Sequence, residues 1–129
     1  MAARTPQEVD VLFAQALNSG NLDALVSLYE AQASLMPSPG KIVVGTAAIR
    51  DALAAFVAGK PHITLTPRVV SQTPDLALVT ATWQLAMTGQ DGKPASMEGQ
   101  SVEVVRRQAD GSWRFAIDLP FGVNAGEQA

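Results

Sequence analysis

Leu76-Ala77-Leu78-Val79-Thr80-Ala81-Thr82-Trp83-Gln84-Leu85-Ala86-Met87-Thr88 alternates along one register: Ala77, Val79, Ala81, Trp83, Leu85 and Met87 fall on one face, and Leu78, Thr80, Thr82, Gln84 and Ala86 on the other. That is the period of a long β-strand with one core face and one semi-polar face. The same period holds around it. Residues 63–70 alternate, with Pro67 pointing to an edge or a bulge, and Thr73-Pro74-Asp75 turns the chain. Gln90-Asp91-Gly92-Lys93 reads as a hairpin loop, residues 95–107 as the next strand, Asp110-Gly111 as a tight turn and residues 113–119 as the last strand. Three or four antiparallel strands in meander order are therefore expected from His62 onward.

Upstream of His62 the period is 3.6. Thr5-Pro6-Gln7-Glu8 reads as a capping box that starts a helix, with Val9, Leu12, Phe13, Ala16 and Leu17 as its apolar stripe and Gly20 as its end. Asn21 caps a shorter helix in which Leu22, Leu25, Val26 and Tyr29 repeat the pattern. Residues 33–36 form a short strand, Pro37-Ser38-Pro39-Gly40 a turn, and residues 41–44 a second short strand. Gly45-Thr46 opens a third helix, with Ile49, Ala52, Leu53, Phe56 and Val57 on one face and Gly59 and Pro61 at its close. The fold class is α+β: three N-terminal helices packed on a curved antiparallel sheet, which Gly89 and Gly99 leave free to bend. One domain over residues 5–121 is expected, with a polar tail at 122–129. Helices that only partly fill the concave side of such a sheet leave a cone with an open mouth, where a small molecule can bind.

Composition narrows the chemistry. The chain has 129 residues, 47% of them hydrophobic, with no cysteine, a single histidine (His62) and a formal charge of −3. These counts exclude disulfides, thiolate nucleophiles and multi-histidine metal cages, and they disfavour nucleic acid as a partner. The longest apolar run, residues 52–58, is seven residues, far short of the ~20 that cross a bilayer, so a cytoplasmic protein without a membrane partner is expected. Ser38 has no nucleophile-elbow context, Gly59-Lys60-Pro61 and Gly92-Lys93-Pro94 are not phosphate loops, and no metal-ligand spacing occurs. No metal and no cofactor are expected.

The order of elements and several local motifs resemble the nuclear transport factor 2-like superfamily, in its SnoaL-like and ketosteroid-isomerase-like bacterial branch. Ala16-Leu17-Asn18-Ser19-Gly20-Asn21-Leu22-Asp23 is similar to that family's helix–turn–helix junction, and Leu28-Tyr29-Glu30-Ala31 and Pro39-Gly40 follow it. Gly45-Thr46-Ala47-Ala48-Ile49-Arg50 is similar to the start of its third helix, and Asp110-Gly111-Ser112-Trp113-Arg114-Phe115 to its final hairpin. The resemblance runs over residues 7–121 and implies a cone-shaped, cystatin-like fold. Fold alone leaves the reaction open, because this one hosts enzymes and binding modules alike.

The steroid-isomerase type implies a tyrosine donor on the first helix and an aspartate base after the second. Those positions fall on Phe13 and Pro37, which can neither donate nor accept a proton, so that mechanism is disfavoured. Asp118, inside the apolar run Trp113-Arg114-Phe115-Ala116-Ile117-Asp118-Leu119, is the remaining candidate acid. Directed inward, it is an acid/base or anchor with its pKa raised by desolvation; relatives often hold an aspartate here after a histidine, whose place Ile117 takes. Directed outward with Arg114 and Ala116, it is a surface carboxylate paired to a neighbouring arginine.

Glu98, Gln100 and Arg106 share a face with Val102 and Val104, and both faces of that strand are mixed. On the concave side, Glu98 or Gln100 would supply a ligand's polar partner; on the convex side they form a solvated or dimer-facing row. Phe13, Tyr29, Met36, Phe56 and Trp83 follow apolar stripes as packing residues and pocket walls, and the Tyr29 hydroxyl needs a partner if buried. His62 reads as exposed or structural. Two functions follow. One is a homodimeric domain that binds a small hydrophobic molecule and pairs through the outer face of Thr80, Thr82 and Gln84. The other is a cofactor-independent isomerase, cyclase or hydrolase acting on such a molecule, with Asp118 as acid/base and Trp83, Tyr29 and Met36 as walls. The direction of Asp118 separates them.

Overall fold

Asn18, in the helix–turn–helix motif, holds the first helix against the sheet: its side-chain amide donates to the Ile63 carbonyl at 2.9 Å and its oxygen accepts the Ile63 N–H at 2.7 Å. The computed structural model describes residues 2–88 and 91–123. Its elements are α1 (Glu8–Asn18), α2 (Leu22–Ser27), β1 (Tyr29–Ser38), β2 (Lys41–Val44), α3 (Thr46–Ala58), β3 (His62–Gln72), β4 (Leu76–Thr88), β5 (Pro94–Arg107) and β6 (Trp113–Leu119). The sheet runs in the order β2-β1-β6-β5-β4-β3.

Strands β3 to β6 are the expected antiparallel meander, with Pro67 on the edge strand β3. The sheet as a whole is mixed rather than antiparallel, because β1 lies beside β6 and parallel to it. The two are far apart in sequence, so no tight hairpin forces them antiparallel. The Phe115 N–H donating to the Leu28 carbonyl at 2.7 Å starts the pairing.

Three local boundaries differ from the sequence expectation. Helix α1 starts at Glu8 with Gln7 as an unbonded cap; the Glu8 N–H closes a turn onto the Thr5 carbonyl, and its carboxylate takes the Arg4 N–H at 2.7 Å. The reach-back half of a capping box is thus present, one residue early. Helix α2, capped by the Asn21 side chain as expected, stops at Ser27, so Tyr29 opens β1 instead of continuing the helical stripe. Strand β1 runs on through Pro37 and Ser38, and Gly40, at φ +78°, makes the turn. Gly89, Gln90 and the tail from residue 124 lie outside the described residues.

Two features of the sheet position the site. Gly99 pairs with Trp83, and a Cβ there would lie 2.6 Å from Trp83 Cζ2, so the missing side chain lets the indole lie flat across the strand. Its Nε1–H donates to the Pro120 carbonyl at 2.7 Å. In β6 the register slips between Phe115 and Ile117, because Phe115 pairs with Val105 and Ile117 with Val104, which leaves Ala116 as an extra residue. That bulge flips the strand's parity. Trp113 and Phe115 face inward before it; Asp118 faces inward after it, and Ile117 turns out to the surface at 41% exposure.

Candidate functional site

A cavity of about 510 Å³ opens between α1, α3 and the concave face of the sheet. Exposed Ser38, Lys41 and Met97 stand at its rim, and Phe13, Phe56, Trp83, Phe115 and Phe121 form its walls. Its buried end carries four ionisable side chains from four elements: Asp10 (α1), Tyr29 (β1), Glu103 (β5) and Asp118 (β6). A larger open groove, about 610 Å³, lies on the convex side along Thr80, Thr82, Gln100 and Val102, and none of these four groups lines it.

Asp118 is 5% exposed and accepts a hydrogen bond from the Tyr29 hydroxyl at 2.5 Å. Burial is the main force on its carboxyl and pushes the pKa up to about 7; the Tyr29 proton pulls the other way and the charge of Asp10 adds to the rise. Tyr29 is held well above its ordinary range by burial and then by the Asp118 charge, so it remains a hydroxyl donor at any physiological pH. Its ring packs on Phe115 at 4.8 Å between centroids.

Asp10 and Glu103 form the second part of the site. They are 4% and 1% exposed, and Asp10 Oδ2 and both oxygens of Glu103 find no donor elsewhere in the protein. The two carboxyls lie close enough for each to shift the other's acidity, and two buried carboxyls so placed are favoured when one of them keeps a proton. Burial, the bond to Asp10 and the charges of Asp10 and Asp118 push Glu103 up to about 11, so the proton sits there. The Ser101 hydroxyl eases this slightly, but its own proton is directed at the Ala81 carbonyl, 3.4 Å away. Asp10 is raised chiefly by burial, with the Glu103 proton lowering it.

Of the residues singled out from the sequence, the structure brings Phe13, Tyr29, Phe56, Trp83 and Asp118 to this cavity. Met36 is buried on β1 but outside the lining, which its neighbours Leu35 and Pro37 reach from the opposite parity. Glu98 and Gln100 lie on the convex face and line the outer groove, because Gly99, Ser101, Glu103 and Val105 take the concave one. The outward placement of Asp118 with Arg114 is corrected by the bulge at Ala116. Asp10 and Glu103 escaped sequence reading. Asp10 has a signal: it precedes Phe13 and Leu17 by three and seven residues, on the same helical stripe. Glu103 has the parity of Ser101 and Val105, but that face was not distinguishable from its opposite. Phe13 and Pro37 do line the cavity, so the steroid-isomerase positions exist here without their functional groups. Among the described residues no cluster of acidic, histidine or cysteine side chains has metal-binding geometry.

Helices over the concave side of a bent six-stranded sheet, with carboxyls at the closed end, define a cone-shaped α+β domain with the fold of a solved Novosphingobium aromaticivorans protein described as nuclear transport factor 2-like with a cystatin-like fold, which superposes with a TM-score of 0.71 at 19% identity over 87% of this chain and 75% of its own. The chain belongs to the SnoaL-like domain family, whose model matches residues 11–115. No curated protein matches the sequence significantly. Solved structures share the fold at low identity. A protein provisionally described as an aromatic ring hydroxylase, from Novosphingobium aromaticivorans, superposes with a TM-score of 0.77 at 22% identity, over 87% of this chain and 82% of its own. A Streptomyces avermitilis protein, provisionally described as a dehydratase of the nuclear transport factor 2-like family, gives 0.74 at 22% over 86% and 88%. A ketosteroid isomerase-like protein from Erwinia carotovora atroseptica gives 0.67 at 22% over 86% and 88%. No helix among the described residues is long and apolar enough to cross a membrane.

Proposed function

We propose that this chain is a cofactor-independent enzyme that moves a proton on a small apolar molecule held in the cone, the chemistry of an isomerase or dehydratase. The observation that carries the reading is the inward Asp118, bonded to Tyr29 and raised to about 7. A carboxyl at that pKa is half ionised at neutral pH, where it serves as base and as acid in turn. A domain that only binds apolar ligands gains nothing from so costly a group. The Tyr29 proton occupies Asp118 Oδ2, which leaves Oδ1 to take a proton from the ligand, and the aromatic walls exclude water from the transfer. The isomerase- and dehydratase-described neighbours of the same fold are consistent with this class of reaction.

A general probe of a carboxylate base in an apolar pocket is 5-nitrobenzisoxazole, which opens to the cyanophenolate when its ring C–H proton is removed. The chain is expected to accelerate this elimination with a rate that rises through a midpoint near 7, and Asp118→Asn to remove most of the acceleration. An unchanged rate in the variant, or no acceleration by the natural chain, rejects the reading.

We further propose that two copies pair through the convex face of the sheet. Leu78, Val104 and Ile117 stand in register across β4, β5 and β6, with Leu78 and Ile117 about 40% exposed, and Val102 and Leu119 pair beside them. They extend the Thr80, Thr82 and Gln84 face as an apolar surface of the kind that homodimers bury.

A further inference from the structure

Proton transfer by Asp118 leaves the Asp10–Glu103 pair without a task, yet the pair is the most heavily buried polar feature of the cavity. The two carboxyls share one proton and so keep one negative charge. Asp118 adds a further partial charge, and among the described residues the one cationic side chain of the lining is Lys41, exposed at the rim. Facing the pair are Ser101 on its own strand and, across the cavity floor, Tyr29 and Asp118, none of which brings a positive charge. Three of the pair's oxygens lack a donor from the rest of the protein. Uncompensated negative charge at the closed end of an aromatic-walled cavity repels anions and attracts a cation that carries its own N–H donors. Phe13, Tyr29 and Phe115, packed on one another at 6.1 Å and 4.8 Å between ring centroids, give the same end of the cavity an apolar surface for the body of such a molecule.

We infer that the cavity selects a small molecule with an apolar body and a protonated amine, the ammonium group seated against Asp10 and Glu103 and the body against the aromatic walls. The ammonium N–H groups donate to the Asp10 carboxylate at the end of the cavity, and the ligand's charge balances that of the pair. This rests on the cone's being the substrate site, and it adds the substrate class: an amine, in contrast to a neutral or an acidic compound.

The test uses three probes with one apolar body, 3-phenylpropylamine, 3-phenylpropan-1-ol and 3-phenylpropanoate, titrated calorimetrically into the full chain at neutral pH. The amine is expected to bind at least about tenfold tighter than the alcohol, and the carboxylate more weakly than both. In the double variant Asp10→Asn with Glu103→Gln, the amine's advantage over the alcohol is expected to disappear. In Asp118→Asn the advantage is expected to persist. An alcohol that binds as tightly as the amine overturns the amine preference and leaves the cone as a ligand site. Binding by none of the three overturns both. Loss of the preference in Asp118→Asn, with its survival in the double variant, overturns the placement on Asp10 and Glu103.

Discussion

Replacing Glu103 with glutamine is expected to stabilise the fold at neutral pH by an amount that vanishes in acid. Glutamine has nearly the same shape, so packing is preserved and only ionisation is removed. In the folded chain the Glu103 carboxyl is pushed up to about 11; in the unfolded chain it titrates at its ordinary value of 4.5. A carboxyl whose folded pKa is the higher one contributes most below its unfolded pKa, and that contribution is lost as pH rises toward the folded value. At about pH 7.5 the folded chain must therefore hold a proton that the unfolded chain has released. At ~1.4 kcal/mol per pH unit above 4.5 that costs about 4 kcal/mol, and sharing of the proton with Asp10 brings the expected gain to about 2–4 kcal/mol. The glutamine amide donates to Asp10 in place of that proton, so Asp10 ionises without losing its partner. Urea unfolding of both proteins at about pH 4, 6 and 7.5 measures the difference, which should grow with pH while the natural chain weakens. A variant less stable than the natural chain at pH 7.5, or a difference that does not change with pH, refutes the proton-sharing pair.

Tyr29→Phe removes the donor that holds the Asp118 pKa down, so the midpoint of the 5-nitrobenzisoxazole pH–rate profile should rise by about one unit; an unmoved or lower midpoint counts against Asp118 as the base. Gly99→Ala puts a methyl within 2.6 Å of Trp83 Cζ2 and should cost about 1–3 kcal/mol in thermal unfolding and alter tryptophan fluorescence; a silent substitution refutes the close approach. Ile117→Lys sets a charge at the β6 end of the convex apolar row and should turn a dimer at micromolar concentration into a folded monomer by sedimentation. A natural chain that is itself monomeric refutes the pairing.

The strand of residues 76–88 was legible in full: its inward set is buried up to Met87, which is half-buried, and its outward set is exposed apart from the half-buried Thr80, as the alternation reads. So were the Asn21 cap, the edge position of Pro67 and the last strand, since each rests on local chemistry that neighbours in the chain decide. The site was legible only in part. Asp118 stood out as a carboxylate in an apolar run, but strict alternation places it with Arg114, on the surface. The bulge at Ala116 reverses that, and nothing in the hexapeptide around it marks the extra residue. Glu103 lies between valines on a strand whose two faces carry similar residues, and which face the helices cover is settled by α1 and α3.

The order and type of elements, the α+β class, the cone and the scarcity of catalytic residue types follow from the sequence by itself, because period, turns and caps are properties of short stretches. The gathering of Asp10, Tyr29, Glu103 and Asp118 at one closed end was decided by tertiary structure. Those residues are up to 108 positions apart, and their acidity depends on the water that the packed sheet and helices exclude, a quantity that no local stretch encodes.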